Sequence, residues 1–302
     1  MEMICSYVRR PQEVIQSKTR EINIFNINGG NIDKKVVDEF GDEWLKFNDF
    51  TDKRIKIAAE EYFDIIDNTI VNKNTYALDI GCGSGRWTKY LASKAGFIEA
   101  VDPSDAIFAA DNLLRNVENV RLSKASVDTL PFPDETFDFA MSIGVLHHVP
   151  NTQQALIDCV RKVKKGGYFY VYLYYNLDGR GRIFRTIFRF TDVIRNIICK
   201  FPSGLKKFVC DILAVIIYMP LILLAKFLSF VGLKKLSKKI PLSAYCNKPF
   251  FIIRNDALDR FGTKLEQRFS REEIEEMMTK SGLDQILVSE GIPFYHAVGK
   301  KV

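Results

Sequence analysis

The residue types around Asp79 predict a site for a ligand that carries positive charge. Asp79 ends a short apolar run, and Gly81, Gly83 and Gly85 follow it at alternate positions. A helical pattern that begins near Trp87 comes directly after them. This order predicts a strand, a glycine turn that lets the backbone approach a ligand, and a helix whose first N–H groups point at it. A carboxylate beside the turn repels a pyrophosphate and attracts an ammonium or sulfonium group, which favours S-adenosylmethionine over a dinucleotide.

Two further acids follow in the same order along the chain. Asp102 ends the next apolar run, where an acid at the tip of a second strand accepts hydrogen bonds from ribose hydroxyls, a role that fits NAD equally well. Asp128 lies in a later loop, where its side chain is placed to accept from an adenine amino group. Residues 137–143 predict another buried strand, and Gly144 after it again allows a close approach of the backbone.

Five motifs in this order resemble those of the class I S-adenosylmethionine-dependent methyltransferases, in the branch of ubiquinone-type and small-molecule enzymes. They are Leu78 to Gly85, Val101 to Ser104, Ser126 to Asp138, Val145 to Val149 and Lys164 to Gly167. The similarity covers roughly residues 75–175 and resumes near 268–300. One departure is the pair of lysines before Gly166, where the family usually has a proline.

The resemblance implies an α/β fold, a Rossmann-like sheet of seven mostly parallel strands with an antiparallel last strand. It implies S-adenosylmethionine as the cofactor and S-adenosylhomocysteine as its product. The methionine end would lie on Asp79, Gly81 and Gly83, the ribose on Asp102 and the adenine on Asp128. The full set of expected cofactor residues is Asp79, Gly81, Cys82, Gly83, Gly85, Asp102, Pro103, Ser126, Val127, Asp128 and Ile143.

Charge is distributed unevenly along the 302 residues. Between Gly179 and Lys248 there are 14 Lys and Arg residues against two acids, whereas the rest of the chain has 29 basic and 35 acidic residues. We therefore expect three parts. Residues 1–70 would form an N-terminal arm, irregular over 1–30, with lid helices. Residues 71–178 and 256–302 would form a core, and residues 179–255 a basic helical cap inserted into it. The six cysteines are scattered and none is grouped with histidines, so we expect neither a metal site nor a disulfide framework.

The apolar run from Val209 to Ala225 in the insertion allows two interpretations. Because Asp211 and Pro220 interrupt it and it is short for a membrane span of about 20 residues, we expect a cap and no transmembrane anchor. The alternative is a hairpin on a membrane surface, with peripheral contact through 179–250. The N-terminus has no compact apolar signal, so the expected location is the cytoplasm, at most peripheral at the inner face of the membrane.

Two histidines are the candidates for taking a proton from a methyl acceptor. His147 and His148 follow the fourth core strand, at the edge of the sheet where the methyl donor is expected. A neutral imidazole there would act as a general base if the acceptor has to lose a proton. The alternative is that they cap the next helix or bond to the backbone.

Four other residues are candidates for binding the acceptor. Tyr174 and Tyr175 end the fifth strand and would line the acceptor pocket. Asp256 and Arg260 lie in a predicted polar loop, 254–263, and would bind substrate or otherwise form a surface ion pair that contributes little.

The residues favour a methyltransferase that acts on a small or lipid-linked acceptor, by O- or N-methylation of a glycan, nucleotide-sugar or natural product. The alternatives are quinone or lipid C-methylation at a membrane surface, an NAD(P)-dependent oxidoreductase, and a non-enzymatic adaptor that keeps the fold. The basic insertion favours an anionic acceptor. Nucleic acid is not the expected partner, because no aromatic residues are interleaved with the basic ones in a binding motif.

Three arginines on one face of a predicted helix test the anionic acceptor. Replacing Arg182, Arg185 and Arg189 together with alanine should raise the apparent KM for the acceptor and leave the affinity for the cofactor nearly unchanged, because these charges would attract the acceptor alone. Steady-state kinetics at low salt measures both. An unchanged KM would mean that the basic face is only a solvated surface.

Overall fold

The computed structural model describes residues 4–17, 19–27, 29–46, 50–176, 191–262, 264–291 and 295–302. The chain forms two compact units, the first with residues 1–178 and 267–302 and the second with residues 179–266. The chain therefore returns to the first unit at Gln267 and not at the predicted residue 256. The three arginines at 182, 185 and 189 lie outside the described residues.

A nine-stranded sheet forms the centre of the first unit. Its strands are β1 (Glu13–Gln16), β2 (Glu21–Ile24), β3 (Tyr76–Ile80), β4 (Phe97–Asp102), β5 (Val120–Lys124), β6 (Phe137–Ile143), β7 (Val163–Tyr172), β8 (Leu283–Val288) and β9 (His296–Lys301). Their order is β1-β2-β5-β4-β3-β6-β7-β9-β8. The pairs from β2 to β7 are parallel, whereas β9 is antiparallel to both β7 and β8. The predicted α/β sheet of mostly parallel strands with an antiparallel last strand is confirmed.

The N-terminal hairpin adds two strands to the predicted seven and replaces the irregular arm expected over residues 1–30. β1 and β2 are antiparallel, and β2 pairs in parallel with β5, where Ile22 lies opposite Leu122. Ile22 is fully buried, and the Arg20 guanidinium donates to the backbone oxygen of Val120 at 3.0 Å. Each strand has only four residues, too few for a clear alternating pattern, so the hairpin depends on contacts with a distant part of the chain.

Helices cover both faces of this sheet. They are α1 (Lys34–Lys46), α2 (Asp52–Tyr62), α3 (Arg86–Ala92), α4 (Ala106–Leu113), α5 (Thr152–Lys162) and, after the insertion, α10 (Arg271–Lys280). Every residue of the central strand β3 is buried, as expected of a parallel strand covered on two faces. α10 begins with the capping box formed by Ser270 and Glu273, as their spacing predicts.

The second unit is helical among its described residues. Besides residues 191–198, it contains α6 (Ser203–Leu213), α7 (Met219–Phe230), α8 (Lys234–Ser237) and α9 (Phe250–Gly262). A π-helical turn, Ala214–Tyr218, joins α6 to α7. We call α6, this turn and α7 together the long helix.

The long helix corrects the expectation that its apolar run is too short to span a membrane. Its segment Gly204–Phe230 has 27 residues and contains an 18-residue stretch with a mean hydropathy of 2.6, so it is long and apolar enough to cross a membrane. Pro220 does not end the helix, because the π-helical turn directly precedes α7 and relieves the clash that proline makes with the preceding turn. Length alone does not decide between a spanning helix and one that lies on a surface.

The polar loop predicted over 254–263 is also wrong, because this segment belongs to α9. Ile253, Ala257 and Phe261 recur every four residues and pack with the long helix. On another side of α9, Arg254 donates to both carboxylate oxygens of Asp211, at 2.7 and 2.6 Å. The many charged residues of this segment concealed its apolar stripe.

Candidate active site

The glycine turn between β3 and α3 lies at the carboxyl end of the parallel strands. Gly81 has a φ of +76°, and a Cβ on it would lie 2.5 Å from Cγ2 of Val145, so only glycine fits here. Its N–H donates to the backbone oxygen of Val101 at 2.7 Å, which holds the turn against β4. Gly85 faces α4 instead, where a Cβ would lie 2.9 Å from the Leu114 side chain. Gly81 therefore shapes the edge of the sheet, and Gly85 lets α3 and α4 pack closely.

Asp79 is a buried carboxylate at the end of β3. Only 1% of the residue is exposed, and the Thr88 hydroxyl donates to its Oδ2 at 2.5 Å. Loss of hydration raises the pKa of Asp79 to about 7, the Thr88 bond lowers it and the charge of Asp102 raises it. Among the described residues no basic side chain contributes to this pKa. A cation bound at this edge of the sheet would supply the missing compensation.

Asp102 lies one strand away, at the end of β4, and is held by its own turn. Its Oδ2 accepts from the Gly83 N–H at 2.8 Å, and its Oδ1 accepts from the N–H and the hydroxyl of Ser104, at 2.8 and 2.6 Å. Burial raises the pKa of Asp102, and these bonds lower it. Pro103 and Ser104 border a cavity of about 180 Å³ beside α1. The bond from Gly83 joins the glycine turn and the acid of β4 into one frame.

Asp128 is engaged by the N-terminal segment of the chain. Its Oδ2 accepts from the Asn31 N–H at 3.0 Å, and its Oδ1 accepts from the Ser126 hydroxyl at 2.6 Å. Gly29 approaches so closely that a Cβ on it would lie 1.8 Å from Oδ2. An adenine bound to this carboxylate would have to share it with residues 29–31 or displace them.

Three other expected cofactor residues form apolar walls. Cys82, Val127 and Ile143 are each less than a tenth exposed. Burial is the largest cause that raises the pKa of the Cys82 thiol well above its ordinary value, so the thiol is neutral. Across the described ranges, no group of three or more His, Cys, Asp or Glu residues could hold a metal ion.

α1 lies over the glycine turn. The Trp44 indole Nε1 lies 3.4 Å from the place that a Cβ on Gly83 would take. The Arg86 guanidinium stacks over the Trp44 ring at 5.1 Å, and the Phe40 ring lies 4.8 Å from that of His148. Trp44 of α1 therefore covers the turn, and Phe40 covers His148. Position 47 lies outside the described residues.

His147 is a buried imidazole whose two ring nitrogens have no hydrogen-bond partner among the described residues. Its ring stacks on that of Tyr174, with centroids 3.8 Å apart, and the Arg268 guanidinium lies over the Tyr174 ring at 5.2 Å. Burial, followed by the charges of His148 and Arg268, lowers the pKa of His147 well below its ordinary value. His147 is therefore neutral at pH 7. His148 is 7% exposed and lies between His147 and α1.

The other predicted acceptor residues lie on other elements of the structure. The Tyr175 backbone bridges to Phe269 at the edge of the first unit. Asp256 and Arg260 belong to α9 in the second unit, where Asp256 accepts from the Tyr245 hydroxyl at 2.5 Å. The Arg260 Nε lies 3.8 Å from the Asp256 carboxylate. Both are part of a polar cluster inside the helical unit, because α9 replaces the predicted loop.

Sequence reasoning missed the residues that hold the two carboxylates. Ser104 could have been found, because a serine two residues after an aspartate is typical of a local side-chain turn. Thr88 reaches Asp79 only because α3 folds back over β3, and nothing in the local sequence indicates this contact. Asn31 and Asp128 are 97 residues apart in the chain, so only the folded structure brings them together.

Comparison with known proteins now identifies the core. Residues 78–171 match the family model described as "Methyltransferase domain". This part of the chain is a class I S-adenosylmethionine-dependent methyltransferase domain. The matched range includes Asp79, the glycine turn, Asp102, Asp128 and the two histidines, whereas α1 and Tyr174 lie outside it.

Relatives agree with this domain but match only part of the chain. A demethylmenaquinone methyltransferase of Anoxybacillus flavithermus is 32% identical over 146 residues, which are 44% of this chain and 58% of the relative. A ubiquinone biosynthesis O-methyltransferase of Coxiella burnetii is 25% identical over 142 residues, 45% of this chain and 60% of the relative. The chain thus spans roughly half the length of the curated relatives that it matches.

Solved structures are similar to the chain as well. A SAM-dependent methyltransferase from Aquifex aeolicus is 15% identical, with a TM-score of 0.44, and the match covers 83% of this chain and 97% of that one. The YcgJ protein from Bacillus subtilis is 16% identical, also with a TM-score of 0.44, and the match covers 76% of this chain and 72% of that one.

The raised pKa of Asp79 predicts a pH dependence of stability in the protein without ligand. An acid whose pKa is higher in the folded than in the unfolded state favours folding while protonated, so its contribution is lost as the pH rises from about 4 through 7. A pKa of about 7 corresponds to a loss of about 4 kcal/mol at most. Asp79→Asn should remove this loss. The free energy of unfolding of the variant should therefore rise relative to that of the parent between pH 4 and 7, and this difference should persist above pH 7.

Urea unfolding of both proteins between pH 4 and 8 measures this difference. Asp105→Asn is the matched control, because Asp105 lies near the same edge but its side chain is 57% exposed and pairs with Lys124. The control should follow the pH dependence of the parent. If the curves of Asp79→Asn and the parent are parallel, Asp79 is not the strained carboxylate described here.

Proposed function

We propose that this chain transfers a methyl group from S-adenosylmethionine to a small or lipid-linked acceptor. The observation that carries the proposal is the pair of buried carboxylates, Asp79 and Asp102, at the ends of neighbouring strands beside the glycine turn. Both have a raised pKa because of burial. A cationic methionine end beside Asp79 would restore the balance of charge, and Asp102 would accept from ribose hydroxyls with the lone pairs that its turn leaves open.

The same observation weighs against a dinucleotide cofactor. A pyrophosphate placed on this turn would bring negative charge next to Asp79 in a poorly hydrated setting, where like charges repel strongly. The turn also lacks the G-x-G-x-x-G spacing of the dinucleotide fingerprint. A non-enzymatic adaptor would have no need of a buried acid such as Asp79, whose pKa no basic side chain of the described residues lowers.

In the proposed reaction the protein mainly supplies alignment and a dry site. When bound, S-adenosylmethionine supplies an already activated methyl group, which an acceptor displaces in line from the sulfonium. Gly81 and Gly83 would let the backbone approach the methionine end, Asp79 would orient that end through its charge, and Asp102 would orient the ribose through hydrogen bonds. Trp44 on α1 would exclude water from the turn.

His147 is the residue that we propose takes a proton from an acceptor hydroxyl or amine. A buried polar group without a hydrogen-bond partner costs free energy, so both ring nitrogens of His147 are poised to bind an incoming group. The lowered pKa leaves a free lone pair on the imidazole at pH 7. Tyr174, stacked on His147, would form the wall along which the acceptor enters.

Two features bear on the class of acceptor. The basic insertion supports an acceptor that carries phosphate or carboxylate, such as a phosphorylated glycan, a nucleotide-linked sugar or another anionic small molecule. The names of the relatives, demethylmenaquinone methyltransferase and ubiquinone biosynthesis O-methyltransferase, support a second candidate, a quinone-type acceptor that is dissolved in lipid. In that case C-methylation would take place beside a membrane.

Cofactor binding to three aspartate variants tests the proposed activity. Asp79→Asn and Asp102→Asn should each weaken the binding of S-adenosylmethionine by about 1.5–3 kcal/mol, because each removes a charge that contacts the cofactor and keeps the shape of the side chain. Asp105→Asn, at an exposed neighbouring carboxylate, should bind like the parent.

Titration calorimetry measures the three affinities. The proposed position of the cofactor is wrong if the parent binds it and Asp79→Asn and Asp102→Asn bind it equally well. Binding of NADH in place of S-adenosylmethionine would support an oxidoreductase instead.

A pair of histidine variants tests the proposed base. His147→Asn should lower kcat about 100-fold and leave the cofactor affinity nearly unchanged, because it removes proton transfer and no cofactor contact. The parent's kcat should stay flat from pH 8 down to about 6, since the pKa of His147 lies well below its ordinary value. His148→Asn is the matched control and should lose much less. A larger loss in the control than in His147→Asn would reverse the assignment.

A further inference from the structure

The long helix of the second unit has two opposite faces of different character. One face is a stripe of buried residues spaced mostly by four, Cys210, Ala214, Tyr218, Ile222 and Ala225, each at most 2% exposed. This stripe packs with Ile253, Ala257 and Phe261 of α9. The stripe shows that the long helix already has one partner along its length, so its remaining surface is not part of that interface.

The π-helical turn keeps this stripe on one side of the helix. Residues spaced by four drift around an α-helix, since four residues exceed one turn of about 3.6. The wider turn at Ala214–Tyr218 absorbs that drift. The opposite side therefore also remains one continuous face from the start of the helix to its end.

That opposite side, which we call the apolar face, is strongly exposed. It includes Phe208, Ile212, Val215, Ile216, Phe227 and Phe230, whose exposed fractions run from 40% to 89%. A contiguous face of several large, exposed apolar side chains is rare on a protein that functions free in water, and it marks an interaction site.

The charge around the apolar face identifies the chemistry of its partner. Between positions 212 and 255 the chain has seven Lys and Arg residues and no Asp or Glu. Four of them, Lys234, Lys235, Lys238 and Lys239, follow the long helix directly, and all four are exposed. Leu233 and Leu236, also exposed, alternate with them. An apolar helix face that ends in exposed lysines is complementary to an anionic lipid surface, with its acyl chains below and its negative headgroups around.

The charges of the helix and of its partner α9 favour a position in the plane of the membrane. The uncharged part of the long helix, 212–225, would cover about 21 Å, so a span of the roughly 30 Å of a hydrocarbon core would draw Asp211 or Lys226 into it. A spanning helix would also carry its partner α9 into the hydrocarbon, together with Arg254 and its ion pair with Asp211. Lying flat, the helix buries only the apolar face and leaves α9 on the aqueous side.

We infer that the apolar face and the four lysines bind the headgroup and acyl boundary of an anionic membrane, with the long helix in the plane of the bilayer. The inference goes beyond the proposed methyl transfer and does not depend on it, because binding is measured without turnover.

Vesicle flotation with the full-length protein tests the inference. We expect the protein to float with vesicles of phosphatidylcholine and phosphatidylglycerol, and much less with phosphatidylcholine alone. Phe227→Ser with Phe230→Ser should weaken binding about tenfold or more, because two large apolar side chains no longer insert. Lys234, Lys235, Lys238 and Lys239 changed to Gln should remove the preference for anionic vesicles.

Matched controls come from exposed positions in the first unit. Ile57→Ser with Leu287→Ser removes two exposed apolar groups, and Lys35, Lys53, Lys56 and Lys73 changed to Gln removes the same charge. Both controls should bind like the parent. Since all substituted side chains are exposed, circular dichroism should show each variant folded, and a variant that fails this check is replaced by its single substitutions.

The outcomes distinguish in-plane membrane binding from a membrane span and from a dimer formed through the apolar face. Release of the bound protein by alkaline carbonate supports the in-plane position, and retention until detergent is added overturns it in favour of a span. Equal binding by the parent and the phenylalanine variant overturns the inference. The inference is also overturned if neither the parent nor the phenylalanine variant binds vesicles and the parent forms a stable dimer that the phenylalanine substitutions dissociate. That result would assign the face to a second copy of the chain.

Discussion

The burial of two carboxylates at one edge of a parallel sheet is the constraint on which the site depends. Asp79 and Asp102 end neighbouring strands, and burial is the largest cause of the raised pKa of each. The surrounding chain compensates in part, through the hydroxyls of Thr88 and Ser104 and the Gly83 N–H. The charge of Lys124 adds to this at Asp102, whereas the compensation at Asp79 comes from a neutral donor alone, so the Asp79 end of the edge remains suited to a ligand that brings positive charge. A site strained in this way is typical of function and not of stability.

The histidines show how the environment sets the role of one residue type. His296 is fully buried on β9, and its Nε2 lies 2.6 Å from the carboxylate of Asp64, which also accepts from the Ser289 hydroxyl. His147 is equally buried but has no hydrogen-bond partner among the described residues. A satisfied ring holds two parts of the chain together, whereas an unsatisfied ring is ready for a ligand.

The two units differ in charge and in the surface that they offer. The first unit contains the methyltransferase domain, with acidic groups at its strand ends. The second unit is a helical pair with an apolar face and a basic end, and it adds to the domain a surface that the sheet alone does not have. The proposed function would use this division, because an anionic acceptor and a cationic cofactor are attracted by charges of opposite sign.

The sequence by itself determined the core of this protein. Apolar runs that each end in an acid, with glycines at alternate positions after the first, identified the parallel strands and the family, because these signals depend on neighbours close in the chain. It also identified the capping box of α10 and the basic character of the insertion.

Only the tertiary structure decided the rest, since it depends on contacts between distant residues. The strands β1 and β2 are too short to be seen without the pairing with β5, and Asn31 meets Asp128 only after folding. The continuity of the long helix depends on the π-helical turn ahead of Pro220. The place of Asp256 and Arg260 depends on the packing of α9 with that helix. Where local pattern and long-range packing compete, the buried contacts prevail, because they remove more apolar surface from water than local preference can offset.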